Sequence, residues 1–249
     1  MKLVNLGCGS RYHSDWINLD FKSSSEYVMK YDLHTSLPFE DESIDVVYSS
    51  HVLEHFSKCF APKFLQECYR ILKPNGIIRV VVPDLEQIIK NYIYLLEKAK
   101  VGDIDAQEKY EWTMIELFDQ MVRNYSGGEM LNYWKQNPMP QEAFVIERTG
   151  TEAKNAIEKI RQNPKVKPSN ECVQKSAQEI GKFRLSGEVH QWMYDEYSLG
   201  KLLQSTGFKS VEKCKADESK IQAFNNYFLD IERDGKIRKP DSLFMEAIK

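Results

Sequence analysis

The chain has 249 residues, 42% hydrophobic and 29% charged, with 34 Lys+Arg against 37 Asp+Glu and a formal net charge of -3. This length fits one domain near its upper size limit, or one domain carrying a large insertion, and the composition excludes wholesale disorder and collagen-like repeats. A charge so near balance offers no overall basic field to nucleic acid, which is not expected as a partner.

In chain order, residues 1–83 read as strands parted by turns, with one helix. Residues 2–6 form a short apolar run ending in Gly-Cys-Gly, residues 16–21 a second run with Asp20 at its end, and residues 27–33 a weaker third. Residues 44–49 form a fourth. Residues 77–82 (Ile-Ile-Arg-Val-Val-Val) are β-branched almost throughout, the pattern of a strand covered on both faces. Between the last two, Phe64, Leu65, Cys68, Ile71 and Leu72 recur at helical spacing, and Lys73-Pro74-Asn75-Gly76 ends that helix. Residues 85–100, 106–123 and 152–161 then read as amphipathic helices. Loops are expected at Tyr125-Ser126-Gly127-Gly128 and over 163–170. Trp112, Phe118, Tyr125, Tyr133 and Trp134 are read mostly as the core of this helical stretch. A helix over 195–205 follows, with Asp195 as N-cap and Gly207 as its stop. After it come a strand over 208–215, a short helix over 221–230 and a last strand over 242–248. The fold class expected is α/β, a mostly parallel Rossmann-like sheet built from residues 1–83 and 188–249, with a helical insertion at 84–187 forming a lid and acceptor region.

Cys8, Cys59, Cys68, Cys172 and Cys214 are odd in number, scattered and free of CxxC pairs, so a reducing, cytoplasmic setting without disulfides or zinc is expected. Asn5 and the early glycines interrupt the N-terminal apolar run before a signal-peptide core could form, and no stretch approaches the ~20 apolar residues of a membrane span.

In open α/β sheets ligands bind beyond the carboxyl ends of the strands. Those places hold Gly7, Cys8, Gly9 and Arg11 after the first strand, Asp20 at the end of the second and Asp32 after the third. After the fourth come Ser49, Ser50, His51, Glu54 and His55. The glycines permit close backbone approach, and a carboxylate ending the second strand can accept hydrogen bonds from both hydroxyls of a ribose. Tyr12 stands where a dinucleotide fingerprint needs its third Gly, and Asp20 follows Gly9 by only eleven residues. The first crossover therefore has no room for a long helix aimed at a pyrophosphate, which favours a nucleoside ligand without phosphates.

Val4-Asn5-Leu6-Gly7-Cys8-Gly9, Ile17-Asn18-Leu19-Asp20, Asp32-Leu33, the run from Leu37 to Phe56 and Glu67-Cys68-Tyr69-Arg70-Ile71-Leu72-Lys73-Pro74-Asn75-Gly76 resemble class I S-adenosylmethionine-dependent methyltransferases of the type 11 kind. His190-Gln191-Trp192-Met193-Tyr194-Asp195, Leu202 to Phe208 and Arg238-Lys239-Pro240-Asp241-Ser242-Leu243 resemble a branch associated with polysaccharide biosynthesis. The resemblance covers about residues 1–95 and 187–249, and implies a seven-stranded sheet with an antiparallel last strand and S-adenosylmethionine as cofactor. It implies that Gly7, Cys8 and Gly9 meet the methionine part, with Asn5 and Arg11 beside them. Asp20 would hold the ribose, Asp32 and Leu33 would border the adenine, and Ser49, Ser50 and His51 would line the methionine side. The family carries an acid where this chain has Asn5, so that contact brings no charge.

A sugar hydroxyl needs a base before it can attack a methyl group. Near its ordinary pKa of ~6.5 a histidine suits that role, so His51, His55 and His190 are the catalytic candidates. The alternative places them in helix capping and packing, with Glu54 facing solvent. No metal is expected, because no His and carboxylate set has ligand spacing. The acceptor expected is a small molecule or glycan precursor. A cofactor-binding protein without turnover, or a methyltransferase for another metabolite, a protein or RNA, remain the alternatives.

Overall fold

The computed structural model describes residues 1–23, 25–162 and 175–249; the loop expected over 163–170 and Cys172 lie outside them. Among the described residues, seven strands form one sheet: β1 (Leu3–Leu6), β2 (Ile17–Asp20), β3 (Val28–Lys30), β4 (Ile44–Ser50), β5 (Leu72–Pro83), β6 (Lys209–Cys214) and β7 (Ser242–Ile248). Their spatial order is β3-β2-β1-β4-β5-β7-β6. All pairs from β3 to β5 are parallel, while β7 runs antiparallel to both β5 and β6.

Side-chain alternation sorts the strands onto two faces. Val4, Leu6, Val47, Ile78, Val80, Leu243 and Met245 share one buried cluster with Phe64, Leu65, Cys68 and Ile71 of α1 (Ala61–Ile71) and Leu199 and Leu203 of α7 (Glu196–Thr206). The opposite face presents Leu3, Val46, Tyr48, Val81 and Phe244, and is covered by Trp16, Ala216, Ile221, Phe224, Leu229 and Ile231. The helix expected over 221–230 is not formed. Only a 3-10 turn, Phe224–Tyr227, is present, because Ala223 and Phe228 take left-handed backbone angles on either side of it. No described residue between β1 and β2 is helical, so the first crossover is bare loop.

On this second face, beneath the strap formed by residues 215–231, lies Arg79, fully buried. Its guanidinium pairs with Asp230 at 2.7 Å and Glu246 at 2.8 Å, and donates to the carbonyls of Lys215, Ala216 and Glu218. Tyr48 completes the network by donating to Asp230 at 2.5 Å. A buried cation of this kind persists only when every donor is met.

The chain divides into two compact units, Met1–Asp84 with Trp192–Ile237 and Ser242–Lys249, and Leu85–Gln191 with Arg238–Asp241. The second unit contains α2 (Leu85–Lys100), α3 (Ile104–Val122), α4 (Gly128–Trp134), α5 (Glu142–Gln162) and α6 (Ala177–Arg184). Its core gathers Trp112, Tyr133, Met139, Val145 and Ile157, whereas Phe118 is 47% exposed and does not join it. α4 and α6 go beyond the sequence reading, and α5 begins ten residues earlier than expected, with a break in helical geometry at Gly150. No helix of the described residues is long and apolar enough to cross a membrane.

Candidate cofactor and active site

The carboxyl edge of the sheet is set by the turn after β1. Gly7 and Cys8 donate their N–H groups to Leu19 O at 2.8 and 3.2 Å, so the turn continues the pairing with β2. Gly7 sits at φ +71°, and a Cβ there would lie 2.2 Å from Val52 Cγ2. Gly9, at φ +55°, has nothing within 4 Å of an added Cβ. The first glycine thus closes the turn against the protein, and the second borders open space.

Asp20 ends β2 and accepts from Gly9 N at 2.8 Å through Oδ2 and from Lys22 N at 2.9 Å through Oδ1. Each carboxylate oxygen has two lone pairs, so these bonds leave acceptor capacity on both. The Cys8 thiol is pushed up to about 12, first by burial and then by the Asp20 charge, which keeps it neutral and unreactive at physiological pH. Asn5 is buried, and its Nδ2 donates to Arg11 O at 3.1 Å and Asn18 Oδ1 at 3.2 Å. Arg11 reaches the strap, donating to Ile231 O and Glu232 Oε2. Both side chains therefore hold the glycine turn in shape.

Beyond β3, the exposed Asp32 accepts from the backbone N–H of His34, which holds its carboxyl below the usual range; the His34 ring adds to the effect at 3.0 Å. His34 lies 5.0 Å, centroid to centroid, from both Phe56 and Phe60, and Leu33 packs on the sheet core. At the end of β4, Ser49 Oγ is buried without a hydrogen-bond partner among the described residues. Ser50 lies partly exposed beside it.

His51 leaves β4 with φ +55°, a left-handed angle rare outside glycine and asparagine. Its N–H donates to Val81 O at 2.8 Å. Its ring lies 3.1 Å through Nδ1 from Glu54 Oε1 and 2.9 Å through Nε2 from Ser242 Oγ, the first residue of β7. Glu54 is fully buried, which corrects the expectation that it faces solvent. Its charge adds to burial in pushing the Tyr194 phenol up. His55 ends the 3-10 turn Leu53–His55 and is half-buried. His190 belongs to the second unit, where it is buried and its Nε2 lies 3.0 Å from Gln120 Nε2. His51 lies within ion-pair distance of the buried Glu54 carboxylate at the sheet's carboxyl edge. The placement of Glu54 and Ser242 on either side of the His51 ring goes beyond the sequence reading. The i,i+3 spacing of His51 and Glu54 carried a signal; nothing in the sequence pointed from His51 to Ser242.

At the opposite end of the strands, a cavity of about 270 Å³ is lined by Met1, Asp45, Lys73, Gly76 and Lys220 among others. Its lysines are neutralised by Asp45 and Glu212, each at 2.8 Å.

A family model described as methyltransferase domain matches residues 21–80. A protein of Mycolicibacterium smegmatis named as a probable S-adenosylmethionine-dependent methyltransferase is 27% identical over 99 residues, which cover 33% of this chain and 38% of that protein. The match thus spans little more than a third of that relative's length. Among solved structures, an S-adenosylmethionine-dependent methyltransferase from Archaeoglobus fulgidus aligns over 100% of this chain and 86% of its own, at 13% identity and a TM-score of 0.41. One from Mesorhizobium loti aligns over 100% and 90%, at 12% identity and a TM-score of 0.39. The sheet order and the antiparallel β7 define an open, Rossmann-like α/β sheet, and the match over residues 21–80 likens the segment from the end of β2 into β5 to a methyltransferase domain.

Proposed function

We propose that this chain transfers a methyl group from S-adenosylmethionine to a hydroxyl of a small acceptor, a sugar or glycan precursor. The observation that carries the reading is Asp20, held by Gly9 N at the end of β2 with acceptor capacity left on both oxygens. Gly9's open surroundings and the unpartnered, buried Ser49 Oγ fit an amino-acid tail and a further polar contact on the same edge. The residues present therefore suit the cofactor. Asp20 accepts from the ribose diol, Gly7, Cys8 and Gly9 admit the methionine end, Ser49 and Ser50 line it, and Asp32 and Leu33 border the adenine.

When bound, the cofactor supplies a methyl group already activated by its sulfonium. The protein's part is to align the acceptor oxygen roughly 3–3.5 Å from that carbon, exclude water and take the hydroxyl proton. His51 is the base of this reading, because it stands at the carboxyl edge with the Glu54 carboxylate 3.1 Å from Nδ1 and the Ser242 hydroxyl bonded to Nε2. The sugar as acceptor rests on the sequence likeness of His190 to Asp195, Leu202 to Phe208 and Arg238 to Leu243. Titration calorimetry with S-adenosylmethionine, followed by a methyl-transfer assay on sugars, amines and carboxylates, tests the whole. Binding with transfer to a hydroxyl is expected; absence of binding overturns the reading, and transfer to amines or carboxylates alone overturns the acceptor class.

A further inference from the structure

We propose that Glu54, His51 and Ser242 form a proton relay in which Ser242 Oγ, not the imidazole, meets the acceptor hydroxyl. The inference rests on the methyl-transfer reading and assigns Glu54 and Ser242, two residues outside every expected site, to the same chemistry.

Three observations support it. His51 Nε2 is hydrogen-bonded to Ser242 Oγ at 2.9 Å, while Nδ1 lies 3.1 Å from Glu54 Oε1, within ion-pair distance but off hydrogen-bond alignment, so a carboxylate and a hydroxyl flank the two ring nitrogens. Glu54 is fully buried, so its charge acts on Nδ1 with little solvent screening and favours the tautomer that carries the proton there. Nε2 is then the basic nitrogen, and Ser242 donates to it. His51 adopts φ +55° to reach this position, at a cost of roughly 1–2 kcal/mol for a residue with a Cβ. Strain of this kind collects at functional sites. Ser242 pairs with Pro83 at the carboxyl end of β5, on the same edge of the sheet as Gly9 and Asp20.

The acceptor oxygen bonds to the methyl carbon, and the electron pair of the broken carbon–sulfur bond stays on sulfur. The acceptor's proton moves to Ser242 Oγ as the Ser242 proton moves to His51 Nε2. Glu54 stabilises the imidazolium until water removes its proton. A relay of this sort is needed for a neutral hydroxyl and superfluous for a carboxylate acceptor.

The test has two arms. In the ligand-free protein, nitrogen NMR of labelled histidines should show His51 with its proton on Nδ1, and Glu54→Gln should shift that tautomer balance while circular dichroism stays native. With a hydroxyl acceptor, Ser242→Ala and His51→Asn (asparagine tolerates left-handed φ) should each lower kcat at least tenfold. The affinity of Ser242→Ala for S-adenosylmethionine by calorimetry should stay within twofold. A proton found on Nε2 in the native protein, or a Ser242→Ala variant with native kcat, overturns the relay. Failure of the native protein to bind S-adenosylmethionine instead overturns the methyl-transfer reading, and calorimetry reports that separately from the tautomer.

Discussion

Asp20 and Gly7 show what single residues do at this edge. Asp20 spends one acceptor on each of two backbone N–H groups and keeps the rest for a ligand. Replacing it with Ala removes both the loop anchor and the acceptors for a diol, so affinity for S-adenosylmethionine should fall at least tenfold, in line with a loss of about 1.5–3 kcal/mol for charge-assisted bonds. Calorimetry on the native and Asp20→Ala proteins checks it; unchanged affinity removes Asp20 from the ribose role. Gly7 is fixed by geometry rather than chemistry. Gly7→Ala meets Val52 Cγ2 at 2.2 Å and adopts a left-handed φ, whereas Val52→Ala in the same chain clears the clash and leaves the backbone strain. Thermal unfolding should therefore show a large loss in Gly7→Ala and a partial recovery in the double variant. Both residues were legible in the sequence because glycine and a strand-ending carboxylate have local meanings. Glu54 was not: a Glu in a polar stretch reads as solvated unless the fold that buries it is known. Ser242 depends on pairing across 191 residues, which no local pattern records.

At the scale of elements, the legible ones carry their own stop signals. α7 begins at a capping box, with Asp195 accepting from Ser198 N, and ends at Gly207 in a left-handed conformation. α4 has no such signal. Its first N–H groups are accepted by Asp119, the Glu129 N–H at 2.7 Å, ten residues upstream on α3. The break between α1 and β5 was also legible: Lys73 to Gly76 form the irregularity between the Ile44–Leu72 and Val46–Ile77 pairs, so the strand starts earlier than the apolar run shows. The motif Glu67 to Gly76 has a physical purpose here. Arg70 donates to Leu37 O, Phe39 O, Asp41 and Glu67, while Glu67 accepts from Leu37 N, so α1 clamps the turn that feeds β4. Hydrogen bonding from Arg70, chiefly, holds the Glu67 carboxyl below its ordinary value of 4.5. A lowered folded pKa means the stabilisation is complete above the unfolded value and is lost as pH falls through the lowered one. Glu67→Gln should cost roughly 0.5–1 kcal/mol at pH 7, and this difference should shrink in acid. Denaturant unfolding at pH 7 and pH 3 reads it directly; a difference independent of pH refutes the charge as its source.

At the scale of the whole molecule, the last stretch of chain serves both units. It leaves the first after Ile237, contributes Arg238–Asp241 to the second, and returns as β7. A linear reading shows Arg238 to Leu243 only as a motif before the last strand, because the sharing of Arg238–Asp241 depends on long-range contacts. In the second unit, Gly150 makes room for it: at φ +75°, a Cβ would lie 2.2 Å from Arg238 O and 2.6 Å from Pro240 Cδ. In the first unit, the corresponding tie is Arg79, whose partners Asp230 and Glu246 flank the same stretch. Removing one partner of a fully buried ion pair costs about 3–5 kcal/mol, because the remaining charge keeps its desolvation cost. Asp230→Ala should therefore lower stability by that order and Gly150→Ala should do so by steric clash, but the losses should fall in different places. Hydrogen exchange is expected to show Asp230→Ala opening the strap over 215–231 and strands β5 to β7, with native protection kept in Leu85–Gln191. Gly150→Ala should show the reverse. If either substitution lowers protection equally across both sets of residues, the chain unfolds as one cooperative body and the two units are a division of contacts without independent stability.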